Sequence, residues 1–92
     1  MMRDVVWTRQ FKKDYKLAMK QHRDMNKIDT VIRLLAEGKI LPQTYLDHGL
    51  SGNWKGYREC HVAPDWLLVY RMEEDVLVLT LTRTGSHADL FG

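Results

Sequence analysis

Arg83 and His87 stand four residues apart, separated by Thr84-Gly85-Ser86, directly after the apolar run from Val76 to Leu81. A guanidinium carries a permanent charge and planar donors that match phosphate oxygens, and an imidazole trades protons near neutral pH. Two more histidines, His48 and His61, and the carboxylate of Asp65 fall in the same half of the chain. Metal-free cleavage of RNA needs three things: a base for the ribose 2′-proton, an acid for the departing 5′-oxygen, and positive charge on the phosphorane between them. His87, His61, Asp65, His48 and Arg83 supply those groups. Each proton-transfer group contributes roughly 10²–10⁴-fold in rate, so no single residue suffices.

Roles can be apportioned by type. His87 is the candidate general acid, presented by the Thr84-Gly85-Ser86 turn, and Arg83 the candidate phosphate clamp. Arg83 equally fits a strand-end salt bridge to Glu73 or Asp89. His61 and Asp65 flank a turn and either is a candidate base, although a carboxylate is too weak a base at pH 7 unless desolvated. Asp65 can instead orient His61, and Pro-Asp in a turn also has purely backbone reasons to exist. His48 sits in a loop, as a base, a phosphate contact or a residue without function. Phe91 is placed to stack on a nucleobase, which contributes about 1–3 kcal/mol per base, or to anchor the chain end.

Trp54, Tyr57, Trp66 and Tyr70 read as core and sheet-face residues, Cys60 as buried and inert, and His22 as a structural residue on an apolar helix face. A zinc set drawn from His48, His61, Asp65 and His87 lacks the close ligand spacing of a metal helix or hairpin. No metal or other cofactor is expected.

The elements that must position these groups follow from periodicity. Arg3 to Trp7 reads as an opening strand, and Thr8 as the N-cap of a helix running to about His22. Phe11, Tyr15, Ala18 and His22 share one face of that helix. Arg9, Lys12, Lys13, Lys16, Lys20 and Arg23 fall in an opposing arc. Asp24 or Asn26 caps a second helix carrying Ile28, Val31, Ile32 and Leu35, with Gly38 as its stop. A long loop, residues 39–53, carries His48. Three strands follow, Trp54 to Val62, Trp66 to Met72 and Val76 to Arg83, with turns at Ala63-Pro64-Asp65 and Glu73-Glu74-Asp75. Alternation puts Lys55, Tyr57, Glu59 and His61 on one face of the first of these, and Arg83 with Leu77, Leu79 and Leu81 on one face of the last. The order is β-α-α-β-β-β, an α+β fold with a helical hairpin packed on a mostly antiparallel sheet.

Ninety-two residues suit one domain, 1–92, with one modest core. A composition 45% hydrophobic and 28% charged is that of a globular chain rather than a disordered one. The single cysteine excludes an internal disulfide and any cysteine zinc cluster, so a reducing, cytoplasmic setting is expected. No apolar run approaches the ~18 residues of a membrane span, so no membrane partner is expected. The net charge of +2 hides an asymmetry: residues 1–40 carry ten Lys/Arg against five Asp/Glu, and residues 41–92 four against seven. A basic face on the first helix suits a polyanion or an acidic partner, and equally a solvated surface.

Three separated segments carry a family resemblance: Leu50-Ser51-Gly52-Asn53-Trp54-Lys55-Gly56-Tyr57-Arg58, His61-Val62-Ala63-Pro64-Asp65-Trp66, and Arg83 through Gly92. In this order they resemble the YafQ branch of the RelE/ParE toxin superfamily, over nearly the whole chain. The resemblance implies a RelE-like fold and a type II toxin that cleaves messenger RNA in the A site of the 70S ribosome, without a metal. It also implies contact with ribosomal RNA and a cognate DinJ-like antitoxin. The family's site positions fall on His48, His61, Asp65, Arg83, His87 and Phe91. Lys12, Lys13, Lys16 and Lys20 are the candidate RNA-binding cations outside the site. The founding RelE pattern uses arginine, lysine and tyrosine instead of histidines, so its role assignments do not transfer. The alternative is a non-enzymatic, ParE-like toxin that binds a protein target such as DNA gyrase; such a binder has no need of the histidine set.

Overall fold

Thr8 ends the first strand and starts the first helix, its hydroxyl accepting from the Phe11 N–H at 3.0 Å. This is the side-chain cap that an uncapped helix N-terminus requires. In the computed structural model, which describes residues 2–92, β1 (Asp4–Trp7) leads through this cap into α1 (Arg9–Lys20). The Asp24 carboxylate caps α2 (Met25–Ala36) through the Asn26 N–H, and Gly38 supplies the left-handed residue that closes it, at φ 75°. After a single 3₁₀ turn at Gln43–Tyr45 come β2 (His48–Gly49), a second 3₁₀ turn at Gly52–Trp54, β3 (Arg58–Ala63), β4 (Trp66–Glu73), β5 (Val78–Gly85) and α3 (His87–Phe91).

The five strands form one sheet in the order β1-β5-β4-β3-β2, with β1 parallel to β5 and every other pair antiparallel. The expected α+β fold with a helical hairpin on a mostly antiparallel sheet is therefore the fold of this chain. One face is covered by α1 and α2. There Phe11, Ala18, Ile28, Val31 and Leu35 pack on Cys60, Leu68, Tyr70, Leu79 and Leu81. Burying a side chain of this size contributes about 1.5–3 kcal/mol, which is why β4 reads as an unbroken apolar run from Trp66 to Tyr70. The second face holds a smaller cluster, Leu67, Val69 and Leu90, with Leu50, Trp54 and Tyr57 against it. Both faces of β4 are thus dry. No helix among the described residues is long and apolar enough to cross a membrane.

Several expectations need correction. α1 ends at Lys20, so His22 is not on the buried helix face; it lies in the following turn at φ 60° and is exposed. The strand expected from Trp54 begins only at Arg58, because Trp54 belongs to a 3₁₀ turn and Gly56 takes φ 94°, outside strand geometry. The last strand begins at Val78, after Leu77 at φ 53°, and runs on to Gly85. His48 is not in an irregular loop: it pairs with Glu59 as the edge of the sheet.

The correction with most consequence is a bulge in β5. Tyr70 pairs with Leu81 but Val69 pairs with Arg83, so Thr82 is an extra residue. One inserted residue moves everything after it to the other face. Arg83 therefore leaves the row of Leu79 and Leu81 and joins the row His48–Glu59–Val69–Arg83 across four strands.

Candidate active site

The second sheet face carries the chemistry. Glu59 and His61 alternate out of β3 onto that face, His48 comes from the edge strand, and α3 brings His87 over the top. α3 is only five residues long, and it starts on a reciprocal capping box: Asp89 N–H donates to Ser86 Oγ at 3.1 Å and Ser86 N–H to Asp89 Oδ2 at 3.2 Å. Leu90 pins it to Leu67 and Val69. A Cβ at Gly85 would stand 3.2 Å from Cβ of Asp89, so the glycine lets the helix fold back this closely.

At the centre lies the Glu59 carboxylate, 5% exposed. Its Oε2 is 3.5 Å from Nε2 of His48, while its Oε1 is 3.9 Å from Nε2 of His61 and 3.7 Å from Nε2 of His87. Oε1 has no hydrogen-bond partner. The His61 and His87 rings lie 5.8 Å apart between centroids. Sequence reading placed Glu59 on the face of His61 without giving it a role; it is the residue on which three imidazoles converge.

Asp65 attaches to His87, not to His61 as one sequence reading allowed. Its Oδ1 accepts from the His87 backbone N–H at 3.1 Å and lies 3.3 Å from His87 Nδ1. Those two contacts, the backbone one foremost, hold the Asp65 carboxyl below the usual carboxylate range. With Nδ1–H directed at Asp65, Nε2 becomes the working nitrogen of His87, facing Glu59. His48 is fixed in the same sense, with Nδ1 2.7 Å from the Leu46 carbonyl oxygen.

Arg83 does form a salt bridge, but with neither Glu73 nor Asp89. Its Nε and Nη2 donate to Asp14 of α1 at 2.7 and 3.3 Å. Glu73 pairs with Arg71 and Asp89 serves the α3 cap. Asp14 also accepts from the Thr84 backbone N–H at 3.1 Å, and it is itself buried. Its place between Phe11 and Ala18, in the buried arc of an otherwise basic helix, was the sequence signal for this partner.

Aromatic rings wall one side. Phe91 is 41% exposed and packs edge-on against Trp54 at 5.6 Å, with the His87 ring 6.4 Å away. Trp54 is therefore part of the site wall as well as of the smaller core. Trp66 and Tyr70 are buried on the helix face as expected; Trp66 donates to Thr84 Oγ1 at 2.9 Å, and Tyr70 O–H donates to Asp47 at 2.6 Å. Cys60 is fully buried, and burial foremost pushes its thiol up to about 12, a group without nucleophilic character at neutral pH. Lys12, Lys13, Lys16 and Lys20 are exposed on α1, on the side away from the sheet.

The helical hairpin covers one face of the sheet and the histidine cluster lies on the other, the arrangement of a small α+β domain with its site on the open sheet face. A family model described as a bacterial toxin of type II toxin–antitoxin systems, YafQ, matches residues 3–92. The mRNA interferase toxin YafQ of Escherichia coli K12 is 48% identical over 91 residues, 98% of this chain and 97% of that protein. The toxin in the crystal structure of the E. coli DinJ–YafQ toxin–antitoxin complex matches with a TM-score of 0.91 and 47% identity, covering 100% of both chains. A metal-bound toxin from Helicobacter pylori matches with a TM-score of 0.91 and 39% identity, over 98% of this chain and 100% of that one. The chain belongs to the YafQ family of type II toxins.

Proposed function

We propose that this chain is a ribosome-dependent endoribonuclease that cleaves messenger RNA in the A site by metal-free transesterification. The observation that carries the reading is the convergence of three imidazole Nε2 atoms on one buried carboxylate, with an arginine in the same cross-strand row. A ParE-like binder has no use for such a cluster. The name of the E. coli relative, an mRNA interferase, points the same way.

His61 takes the 2′-proton as the 2′-oxygen attacks phosphorus. His87 Nε2 then gives a proton to the 5′-oxygen as the P–O5′ bond breaks, leaving a 2′,3′-cyclic phosphate and a 5′-hydroxyl. Rings 5.8 Å apart can both reach the oxygens of one phosphodiester. Glu59 supplies the counter-charge for whichever ring carries the extra proton, as the buried carboxylate of a catalytic triad does for its histidine. His48, on the other oxygen of Glu59, orients that carboxylate and is the second candidate base. Asp65 positions His87. Arg83, held by Asp14, is the cation assigned to the phosphate. Phe91 offers a face to a codon base. Free RNA is a poor substrate because the cluster needs its phosphodiester held in place, which the ribosome does. A DinJ-like antitoxin is the partner that silences it, as the DinJ–YafQ complex indicates for the relative.

The test is product chemistry on programmed ribosomes. EDTA-treated toxin, at magnesium levels that preserve the ribosome, should still cut and leave 2′,3′-cyclic phosphate ends. A 3′-hydroxyl product, or activity restored only by added zinc, would show metal-activated water instead.

A further inference from the structure

A cavity of about 430 Å³ opens against His61, and neither Glu59 nor His87 lines it. We infer that this cavity takes a nucleobase, that of the nucleotide whose 2′-oxygen attacks, so that the messenger crosses the site with its 5′ side at His61 and its 3′ side at His87 and Phe91. This polarity rests on the proposed function, in which His61 is the base and His87 the acid.

The cavity exists because the edge of the sheet is short. β2 covers β3 only at Arg58 and Glu59. Just before β2, Leu46 takes φ 50°, a left-handed conformation that turns the chain away instead of continuing the ladder along His61 to Ala63. The 3₁₀ turn at Gln43–Tyr45 therefore stands off from the end of β3. Tyr45 and Leu46 wall one side of the gap and His61, Ala63 and Pro64 the other, with Lys27 from the first turn of α2 beside them. Its size falls within the roughly 300–1,000 Å³ of small-molecule sites. A mostly apolar lining that includes an aromatic ring suits a flat heterocycle.

Covalent geometry selects the occupant. The 2′-oxygen and the base of a nucleotide hang on neighbouring ribose carbons, so a 2′-hydroxyl at His61 brings its own base to the same ring. The 3′-phosphate of that nucleotide then points to His87. The next base, on the nucleotide whose 5′-oxygen His87 protonates, falls on the side of Phe91, 6.4 Å from the His87 ring. Lys27 is exposed, and its ammonium suits the phosphate on the 5′ side of the first nucleotide. Bases gripped on both flanks hold the 2′-oxygen in line with the P–O5′ bond, which is where positioning accelerates the reaction.

The test uses the full-length chain on programmed ribosomes at single turnover. The nucleotide 5′ of the cleaved bond carries either its natural base or none. A stacked base contributes roughly 5- to 150-fold, so the parent chain should cut the abasic messenger at least about fivefold more slowly. Thr44→Trp, which plugs the cavity from the exposed turn, should lose about as much on the natural messenger and nothing further on the abasic one. Gln43→Trp, in the same turn but not lining the cavity, should behave as the parent does. Far-UV circular dichroism confirms that each variant is folded. Equal cleavage of both messengers by the parent chain, or the same abasic penalty in folded Thr44→Trp as in the parent, would overturn the inference.

Photocrosslinking separates this from the nuclease reading. Messengers with the A-site 2′-hydroxyls removed carry 4-thiouridine at each A-site position in turn. Attachment to residues 44–46 or 61–64 from one position, and to Phe91 from the position 3′ of it, is expected; attachment to neither, or in the reverse order, overturns the inference. A chain that crosslinks in the expected order but cuts no natural messenger keeps the base cavity and loses the nuclease reading.

Discussion

Asp14, on the helix face of the molecule, holds Arg83 of the site row through both carboxylate oxygens, at 2.7 and 3.3 Å, and takes the Thr84 N–H as well. A single buried acid therefore fixes the arginine's direction, offsets part of its charge and satisfies the strand just past the bulge. Asp14→Ala leaves a guanidinium and a buried N–H without their acceptor and should destabilise the fold by about 2–4 kcal/mol. For a domain of this size that lowers Tm by roughly 10 °C or more. Asp14→Ala combined with Arg83→Ala should cost less than the sum of the single changes, because the two residues act as one unit. Thermal unfolding of the three variants checks this; strict additivity would mean that the pair contributes nothing jointly.

Asp65 supports His87 from solvent. Its folded pKa is depressed below the ordinary 3.8, foremost by the His87 backbone N–H and next by the ring. A depressed acid contributes stability that is complete above its unfolded value and lost as pH falls through the lower folded value. The contact is thus fully in force at neutral pH and fails only in strong acid. Carboxyl-detected NMR should give a titration midpoint below 3.8, raised but not fully restored in His87→Ala, where the backbone N–H persists. A midpoint at or above 3.8 in the parent chain would contradict the contact.

The exposed lysines of α1, Lys12, Lys13, Lys16 and Lys20, lie on the opposite side of the sheet from the histidines. They are suited to hold ribosomal RNA and not to touch the scissile phosphate. Replacing all four by Gln should weaken ribosome binding and flatten its salt dependence, since fewer counterions are released. Cleavage per bound ribosome should change little. Unchanged ribosome affinity with collapsed antitoxin affinity would assign the stripe to the antitoxin.

Much of the fold was legible because it rests on local rules. The Thr8 and Asp24 caps, the apolar arcs of both helices and the alternation that separates Glu59 and His61 from Cys60 and Val62 all follow from period and residue type. What was not legible depends on tertiary register. Nothing near Thr82 announces the bulge that takes Arg83 out of the row of Leu79 and Leu81, since a bulge is decided by how two strands pair. α1 ends before His22 because His22 itself takes the left-handed conformation that usually falls to Gly or Asn, so no residue type marks the stop. Glu59 was visible as a neighbour of His61, but its burial comes from β2 and α3 closing over it, two short elements too weak in pattern to read. Motif positions were thus recoverable, while the acids that arrange them, Glu59 and Asp14, needed the fold.

The central claim is that His87 Nε2 delivers the proton to the leaving oxygen. Single-turnover cleavage on messenger-programmed ribosomes, comparing the parent chain with His87→Ala at saturating toxin, tests it most directly. The account predicts a rate lower by roughly 10²–10⁴-fold, with the circular dichroism spectrum and antitoxin binding unchanged because His87 is exposed and outside both cores. A folded His87→Ala chain that cleaves at the parental rate would contradict it.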